Sequence, residues 1–293
     1  MRRFPAAPAT FPRMPHLDAL VDLLRSRPAV VLSGAGCSTD SGIPDYGGLA
    51  SRRRSATVQY RQFVGDPRVR ARYWARSTVG WRRVADAAPN AAHSALAELE
   101  ACGAVCGVIT QNVDGLHQRA GSRRVVELHG SLARVRCLGC DAVVSRAGLQ
   151  ERLLAANPTL SGRWIPAAPD GDADLGDDLA AASSIPECET CRGMLKPDVV
   201  FFGECVAKTR LAEAWVVFDQ GAALLVVGSS LAVYSGFRFV LRAVERGIPV
   251  VIVNLGPTRG DEHATLKVDE PVGAVLPTLS LGLAKPGAMS RSA

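Results

Sequence analysis

Long apolar runs are missing from this sequence, and a membrane-spanning or secreted protein would need them. No stretch reaches the length of about 18 apolar residues that crosses a bilayer, so we expect no transmembrane helix. Residues 1–15 are basic and rich in Ala and Pro, but they lack the apolar centre of a secretory signal. Their prolines would also break the amphipathic helix of a transit peptide. We therefore expect a flexible N-terminus over residues 1–15, a flexible C-terminus over 283–293 and a cytoplasmic protein.

Aromatic residues are also scarce, at 5% of the chain, whereas hydrophobic residues as a whole make up 47%. The interior must then be built mainly of Ala, Val and Leu, which is common in α/β folds. The 293 residues exceed one compact domain and fall short of two full-sized ones, so we expect a large domain with a smaller insertion. The net charge of +6 favours anionic partners, such as a dinucleotide, an acidic protein or nucleic acid, without choosing among them.

The order of apolar runs predicts a doubly wound parallel sheet. Segments with the apolar spacing of helices lie between these runs. They include LDALVDLLRS, from Leu17, and NAAHSALAELEACG, which Gly103 closes. Parallel strands covered by helices on both faces have this pattern. Four near-continuous apolar runs predict the buried strands: AVVLSGAG from Ala29, AVCGVITQNVDG from Ala104, AALLVVGSS from Ala222 and IPVVIVNLG from Ile248.

Each of these four strands ends in small or polar residues. Ligands of open α/β sheets bind outside the carboxyl ends of the strands, so we expect the four endings to line one crevice. The first ending, GAGCSTDSGIPDYGG over residues 34–48, contains five glycines, which let another molecule approach the backbone. Thr39 stands where a complete G-x-G-x-x-G motif would have its third glycine, which disfavours an ordinary dehydrogenase.

Two C-x-x-C pairs, CLGC at 137–140 and CETC at 188–191, are typical of a structural zinc site. Their separation is longer than usual, as an inserted helix and loop would make it. Four thiolates would complete a tetrahedral shell and leave no position for a water molecule, so this Zn²⁺ would hold structure and perform no chemistry. Two disulfides or a redox dithiol remain the alternative. The predicted ligands are Cys137, Cys140, Cys188 and Cys191.

The other four cysteines have no such spacing. Cys102 and Cys106 lie in an apolar helix-to-strand segment, where we expect small buried thiols. Cys37 and Cys205 lie in glycine-rich candidate sites, and incidental packing is favoured over a nucleophilic role for both.

Several further blocks follow one another in a fixed order. Together with the cysteine pairs, they resemble the sirtuin family of NAD-dependent protein deacylases from about residue 15 to 280. The blocks are GAGCSTDSGIPDY, TQNVDGLHQRAG, ELHG, LKPDVVFFGE, VVGSSLAVYSG and NLGPTRGD. RYWARSTVGW, LQERLLAANP and APDGDADL are similar to the class II branch of that family.

The resemblance implies a Rossmann-like NAD-binding domain and a small zinc-binding domain, with NAD and an acylated-lysine protein meeting in the cleft between them. The expected NAD-binding domain comprises residues 16–130 and 196–282, and the zinc-binding domain comprises residues 131–195. NAD would be consumed as a co-substrate. We expect a monomer that binds no nucleic acid, in a bacterial cytoplasm or, for a eukaryotic protein, the mitochondrial matrix.

The resemblance also implies contacts for each part of NAD. The pyrophosphate would lie against Gly34, Ala35, Gly36 and Ser38. The nicotinamide and its ribose would contact Ile43, Pro44, Asp45, Tyr46, Gln111, Asn112 and Asp114. The adenosine half would contact Gly228, Ser229, Ser230, Asn254, Leu255 and Gly256, with Val272 as the last adenine contact.

His129 in ELHG matches the catalytic histidine of the family, with Asn112 as a second catalytic residue. In the sirtuin reaction the acyl oxygen attacks the anomeric carbon and expels nicotinamide, and an alkylimidate forms. His129 would then remove a proton from the ribose, and 2′-O-acyl-ADP-ribose and lysine would leave. An ordinary histidine pKa near 6.5 suits such a base. The other histidines, His16, His93, His117 and His263, are predicted to be surface or helix residues.

In VVFFGE, Val200 and Phe201 would wall the acyl-lysine tunnel, with plain core packing as an equal alternative. Gly203 and Glu204 would pair with the peptide as a strand.

The chain departs from the family pattern at Gly47, where sirtuins usually carry an arginine. Arg52, Arg53 or Arg54 could supply that charge. The arginine-dense stretch 52–83 is interpreted as solvated faces rather than a site for nucleic acid or an acidic acyl group. Two other functions use the same motifs: mono-ADP-ribosyl transfer to a protein, and NAD sensing without catalysis.

Overall fold

The computed structural model describes residues 15–45, 58–162 and 183–284. Tyr46, Gly47, Arg52 to Arg54 and the acidic segment 169–178 lie outside these ranges, as do residues 1–14 and 285–293. Within the described ranges, no helix combines the length and apolar character needed to cross a membrane.

Nine strands and nine helices are named here in chain order within the described ranges. The strands are β1 Ala29–Ser33, β2 Val105–Thr110, β3 Val125–Glu127, β4 Gly130–Cys137, β5 Val143–Ser145, β6 Leu195–Val199, β7 Ala223–Val227, β8 Val250–Val253 and β9 Leu266–Val268. The helices are α1 Pro15–Ser26, α2 Tyr60–Gly65, α3 Pro67–Asp86, α4 Ala91–Ala101, α5 Leu116–Arg119, α6 Arg146–Ala156, α7 Lys208–Phe218, α8 Tyr234–Glu245 and α9 Val272–Ala284.

The large sheet has six strands in the order β3-β2-β1-β7-β8-β9, all of them parallel. This order reverses direction between β1 and β7, which creates the crevice in which doubly wound folds bind nucleotides. The predicted Rossmann-like α/β fold is therefore confirmed.

Apolar layers cover both faces of the large sheet. In β1, Val31 packs into the layer that contains α1, α4 and α9, whereas Val30 and Leu32 pack into the layer that contains α7 and α8. Successive side chains of a strand point to opposite faces, so a strand buried on both sides must be apolar throughout. This explains why the predicted strands are continuous runs and not alternating ones.

The small sheet has three antiparallel strands, with β4 between β5 and β6. Its apolar core includes α2 and α3, because Phe63 and Trp74 pack with residues of β4, α6 and β6. The Trp74 indole Nε1 donates a hydrogen bond to the Leu195 carbonyl at 3.2 Å. The expected domain boundary between residues 195 and 196 falls inside β6. Helices α2 and α3 pack against the small sheet and share its core.

The arginines in the described part of the 52–83 stretch are not uniformly solvated. Arg82 leaves 89% of its side chain exposed, but the whole Arg76 residue is 7% exposed. Arg70 donates to the carbonyls of Phe63 and Val64 at 3.0 and 2.8 Å, which ties α3 to α2. Several of these arginines therefore stabilise the fold of the small sheet and its helices.

The end of α4 corrects one prediction. Gly103 has a φ of +80°, as expected of a helix-closing glycine. Cys102, expected to be buried, is exposed because it caps this surface end of the helix. Cys106, on β2, is partly buried.

Candidate active site

One large cavity of about 1140 Å³ lies where the large sheet meets the FGE turn, which we define as residues 201–204 after β6. The ends of β1, β2, β7 and β8 all contribute to its wall, as the sequence predicted. Among the predicted site residues, those that line it are Gly34, Ala35, Gly36, Ser38, Ile43, Asp45, Gln111, Asn112, Asp114, His129, Val200, Phe201, Gly203, Glu204, Gly228, Ser229, Ser230, Asn254 and Leu255.

Four predicted NAD contacts are not placed on this wall. Tyr46 lies outside the described residues. Pro44 and Gly256 are next to lining residues without lining the cavity themselves. Val272 begins α9 and is buried in the apolar layer with α1 and α4, so its side chain faces the core.

The glycines of the first loop let two strand ends come into backbone contact. The Gly34 N–H donates to the Val227 carbonyl at 3.0 Å, and the Gly36 N–H donates to the Gly228 carbonyl at 2.9 Å. A Cβ on Gly34 would lie 2.7 Å from that Gly228 oxygen. Gly228 itself has a φ of +59°, which favours glycine. The ends of β1 and β7 thus present bare backbone, of the kind that phosphate groups approach.

Asn112, Ser38 and Asp114 form a hydrogen-bonded network below this loop. The Asn112 Nδ2 donates to the Gly34 carbonyl and to Ser38 Oγ, both at 3.0 Å. Ser38 Oγ in turn donates to Asp114 Oδ2 at 2.8 Å. These bonds use both N–H groups of the Asn112 amide, so only its Oδ1 acceptor remains for a bound ligand.

His129 lies at the centre of the cavity wall, and both of its ring nitrogens have partners. Nδ1 is 3.0 Å from the Gln111 carbonyl oxygen, and Nε2 is 2.8 Å from Ser235 Oγ. A carbonyl oxygen can only accept, so Nδ1 carries the proton and Nε2 presents its lone pair to the Ser235 hydroxyl. The backbone therefore fixes the tautomer that a base needs.

The pKa of His129 falls to about 4, chiefly because burial disfavours the charged ring. The Gln111 carbonyl opposes this shift and the charge of Arg210 adds to it. The sequence suggested an ordinary pKa near neutrality, whereas this environment keeps the ring neutral well below pH 7.

Ser235 was not among the predicted site residues, although the block VVGSSLAVYSG contains it. It lies at the start of α8, after the ending of β7, and lines the cavity. Its position just after the polar end of a predicted strand could have marked it as a site residue. Its contact with His129 was not predictable, because the two residues are 106 positions apart in sequence.

An ion pair between buried Lys196 and partly exposed Glu204 stabilises the FGE turn. Lys196 Nζ is 2.9 Å from Glu204 Oε2, and the same carboxylate oxygen accepts from the Phe201 N–H at 2.8 Å. Gly203 has a φ of +77°, and the Val200 N–H donates to the His129 carbonyl at 2.8 Å. The turn is therefore tied directly to the backbone of the histidine.

Phe201 shows that the two interpretations of VVFFGE do not exclude each other. Its ring packs edge-on against Phe63 and Tyr73, with ring centroids 5.2 Å apart in both cases, and it also lines the cavity. Tyr73, which was not predicted, shares this wall.

The four predicted zinc ligands converge at the tip of the small sheet. Their sulfur atoms lie within 4.8 Å of one another, and all four cysteines are free thiols. The closest pairs are Cys137 with Cys191 at 3.4 Å and Cys140 with Cys188 at 3.8 Å. Zn–S bonds of about 2.3 Å at tetrahedral angles require sulfur atoms about 3.8 Å apart. The residues therefore fit one structural Zn²⁺, and a disulfide framework is not formed.

Two of the remaining histidines follow the helix alternative of the prediction and not the surface one. His93 in α4 and His117 in α5 are helix residues, but their exposed fractions are 0% and 1%. Burial lowers the pKa of both, and that of His117 falls to about 3.

Residues 34–235 match the model of the Sir2 family. The chain belongs to the Sir2 family. It is 53% identical over 266 residues to NAD-dependent protein deacetylase 1 of Mycobacterium avium, covering 89% of this chain and 93% of that protein. It is 49% identical over 266 residues to NAD-dependent protein deacetylase of Bordetella bronchiseptica, covering 90% of this chain and 97% of the relative.

Solved sirtuin structures agree with this placement. A Sir2 complex with a p53 peptide and NAD⁺ is 33% identical, with a TM-score of 0.72, and the match covers 90% of this chain and 96% of the other. A Sir2 protein bound to a propionylated peptide is 32% identical, also at a TM-score of 0.72, with coverage of 92% and 99%. Both matches cover nearly the whole chain and agree with the fold described above.

Proposed function

We propose that this sirtuin removes acetyl and related acyl groups from lysine side chains of proteins, with NAD as the co-substrate and His129 as the general base. The chain is an NAD-dependent protein deacylase by family and by its relatives. One observation carries the residue assignment. The Gln111 carbonyl accepts the Nδ1 proton of His129, which leaves the Nε2 lone pair facing the Ser235 hydroxyl on the cavity side.

NAD, when bound, supplies a ribose whose anomeric carbon loses nicotinamide and accepts the acyl group's oxygen. The chain's own groups would bind and orient it. The close approach of the β1 and β7 ends requires glycine at Gly34, Gly36 and Gly228, because a side chain at any of these positions would collide with the neighbouring strand end. The pyrophosphate would lie against this loop. Ser229 Oγ donates to Gln111 Oε1 at 2.7 Å, which fixes Gln111 against the wall next to the histidine.

The proton-transfer role of His129 follows from its partners. The Ser235 hydroxyl donates to Nε2, and a ribose hydroxyl of bound NAD would take its place. Nε2 would then accept that hydroxyl's proton, while the Gln111 carbonyl stabilises the protonated ring through Nδ1. Exclusion of water from the site around bound NAD would protect the reactive carbon from a competing nucleophile.

The peptide side of the cavity supports an acylated lysine as the substrate. Val200 and Phe201 provide apolar wall for the acyl-lysine stem, and Gly203 with Glu204 ends the turn on which an extended peptide would pair. Tyr60 N–H already donates to the Phe202 carbonyl at 2.9 Å, so this segment accepts strand-like pairing.

We also propose where the protein acts and how it is organised. The bacterial relatives support a cytoplasmic protein. We also propose that the protein acts as a monomer. We retain the NAD-binding and zinc-binding division as a proposal, with the packing of α2 and α3 assigned to the zinc-binding unit.

A panel of acyl-lysine peptides incubated with NAD and read by mass spectrometry tests this function. Deacylation gives free lysine peptide, nicotinamide and 2′-O-acyl-ADP-ribose. ADP-ribosyl transfer would instead add ADP-ribose to a protein, and NAD sensing would show binding by calorimetry without nicotinamide. Either of these outcomes, obtained without deacylated peptide, would refute the proposal.

A further inference from the structure

Three side chains that could each ligate a metal ion meet at the loop that follows β1. They do not line the cavity, and they are separate from the four cysteines of the small sheet. One ligand atom from each of Cys37, His93 and His117 lies within 4.8 Å of the other two, and all three residues are buried. We refer to these three residues as the Cys-His-His cluster.

Three separate elements build the cluster. Cys37 ends the short 3-10 turn after β1, His93 lies in the first turn of α4, and His117 lies in α5. The two imidazole rings are inclined to each other by 62°, with centroids 4.9 Å apart. Chain segments that are far apart in sequence thus bring a sulfur and two imidazoles together.

His117 has a nitrogen that the described protein does not use. Ser33 Oγ donates to Thr110 Oγ1 at 2.8 Å, so at 2.8 Å from His117 Nε2 it accepts that nitrogen's proton. Nδ1 is then the lone-pair nitrogen, and it is buried without a hydrogen-bond partner among the described residues. Burial costs such an atom its hydration, so its lone pair is available to a ligand such as a metal ion.

His93 has one nitrogen with close partners and one with a long contact only. Its Nδ1 accepts from the Asn90 backbone N–H at 3.3 Å and lies 3.0 Å from Asn90 Oδ1, whereas its Nε2 reaches only Ser38 Oγ, at 3.5 Å. A contact of that length is at the limit of a hydrogen bond and gives way easily to a stronger ligand.

We propose that the Cys-His-His cluster is a second metal site, which binds Zn²⁺ or a similar borderline cation through one thiolate and two imidazoles. Such a donor set suits Zn²⁺ in preference to Mg²⁺ or Ca²⁺, which require oxygen ligands. On binding, Cys37 releases its thiol proton to solvent as the sulfur–metal bond forms, and each histidine supplies a lone pair. No oxidation or reduction takes place.

Occupancy of the cluster would act on the cavity through Ser38. That hydroxyl touches His93 and also donates to Asp114, and it accepts from Asn112. Asn90 Nδ2 donates to the Cys37 carbonyl at 2.9 Å, so α4 already holds this turn. A metal ion would tie the turn to α4 and α5, and we expect excess Zn²⁺ to inhibit turnover. This consequence, unlike the binding itself, rests on the proposed deacylase function.

Metal content separates the two sites. The wild-type protein is first saturated with Zn²⁺ and then freed of unbound metal by gel filtration. Inductively coupled plasma mass spectrometry should then find about two zinc ions per chain. Cys37→Ala should retain about one, held by the four cysteines. Cys102→Ser, which changes an exposed free thiol outside the cluster, should retain both. A single ion in the wild type, or two in folded Cys37→Ala, would overturn the proposal.

X-ray absorption on the wild-type protein keeps the test independent of any variant's folding. Zinc at one equivalent should show a sulfur-only shell, and the second equivalent should add imidazole scattering. A second equivalent bound through sulfur alone or through oxygen would contradict the assignment. A protein that binds two zinc ions in this way but releases no nicotinamide would sink the deacylase function and leave the metal site standing.

Discussion

His129 and His117 are both neutral imidazoles near the carboxyl edge of the large sheet, but His129 is partly exposed on the cavity wall whereas His117 is fully buried, and their surroundings suit different tasks. Burial lowers the pKa of His129 to about 4 and that of His117 to about 3. His129 Nε2 meets a hydroxyl on the cavity wall, whereas His117 Nδ1 is enclosed and meets no hydrogen-bond partner among the described residues. The pKa alone would not identify the base; access to the cavity does.

Replacing each histidine in turn should separate these tasks, and His129→Ala should have the largest effect. Loss of a general base typically costs about 100- to 10,000-fold in rate, so kcat should fall in this range while NAD binding persists. Steady-state deacylation and calorimetry with NAD would measure the two quantities. His117→Gln serves as the control and should keep most of the activity; equal losses in both variants would contradict the distinction.

The pH dependence of kcat/KM should follow the unusual environment of His129. A base must be unprotonated, so the free enzyme should lose activity only as pH falls through about 4. At pH 5 a base with a pKa near 4 is about 30-fold more available than one at 6.5. Initial rates measured across pH 4–8 would locate this acid limb, with circular dichroism at each pH to confirm that the protein is folded. An acid limb centred near 6.5 would mean that burial does not keep this ring neutral.

The free energy of unfolding should fall on acidification in a way that depends on His117. Its folded pKa lies below its unfolded one, so the unfolded chain binds more protons between about pH 6.5 and 3. Its contribution to stability is complete above that window and falls by up to about 1.4 kcal/mol per pH unit on acidification. Denaturant midpoints of wild type and His117→Gln, compared from pH 7 to 5, should converge as the pH falls. A constant difference between them would refute a neutral, buried ring.

Ser235→Ala should have the smallest effect of the four. It removes one hydrogen bond to a neutral acceptor, worth about 1 kcal/mol, which orients the His129 ring before NAD binds, so we expect a loss of at most about five-fold in kcat/KM. Ser235→Thr keeps the hydroxyl and should recover part of that loss. A loss as large as that of His129→Ala would show that Ser235 transfers the proton itself.

Local patterns predicted the features that depend on short stretches of chain. The apolar runs predicted β1, β2, β7 and β8, since strands buried on both faces need continuous hydrophobicity. The change to small and polar residues at their ends located the cavity, and the C-x-x-C pairs located the zinc site. The family resemblance, not spacing, directed attention to His129.

Long-range packing accounts for what the sequence did not predict. No local pattern shows that Ser235 lies against His129, that α2 and α3 join the small sheet, or that His93 and His117 meet Cys37. Val272 was assigned by alignment of motifs, but its helix turns that side chain into the core. The exposure of Cys102 depends on where α4 ends relative to the surface. Each of these depends on contacts between residues that are distant in sequence.

The central claim concerns where the acyl group goes, and a quantitative balance of products tests it most directly. An acetyl-lysine peptide and NAD, quenched at short times, should give nicotinamide, deacetylated peptide and 2′-O-acetyl-ADP-ribose in equal amounts with the wild-type protein. His129→Ala should form the last two far more slowly. Nicotinamide released without acetyl-ADP-ribose, or products formed at the wild-type rate by His129→Ala, would contradict the account.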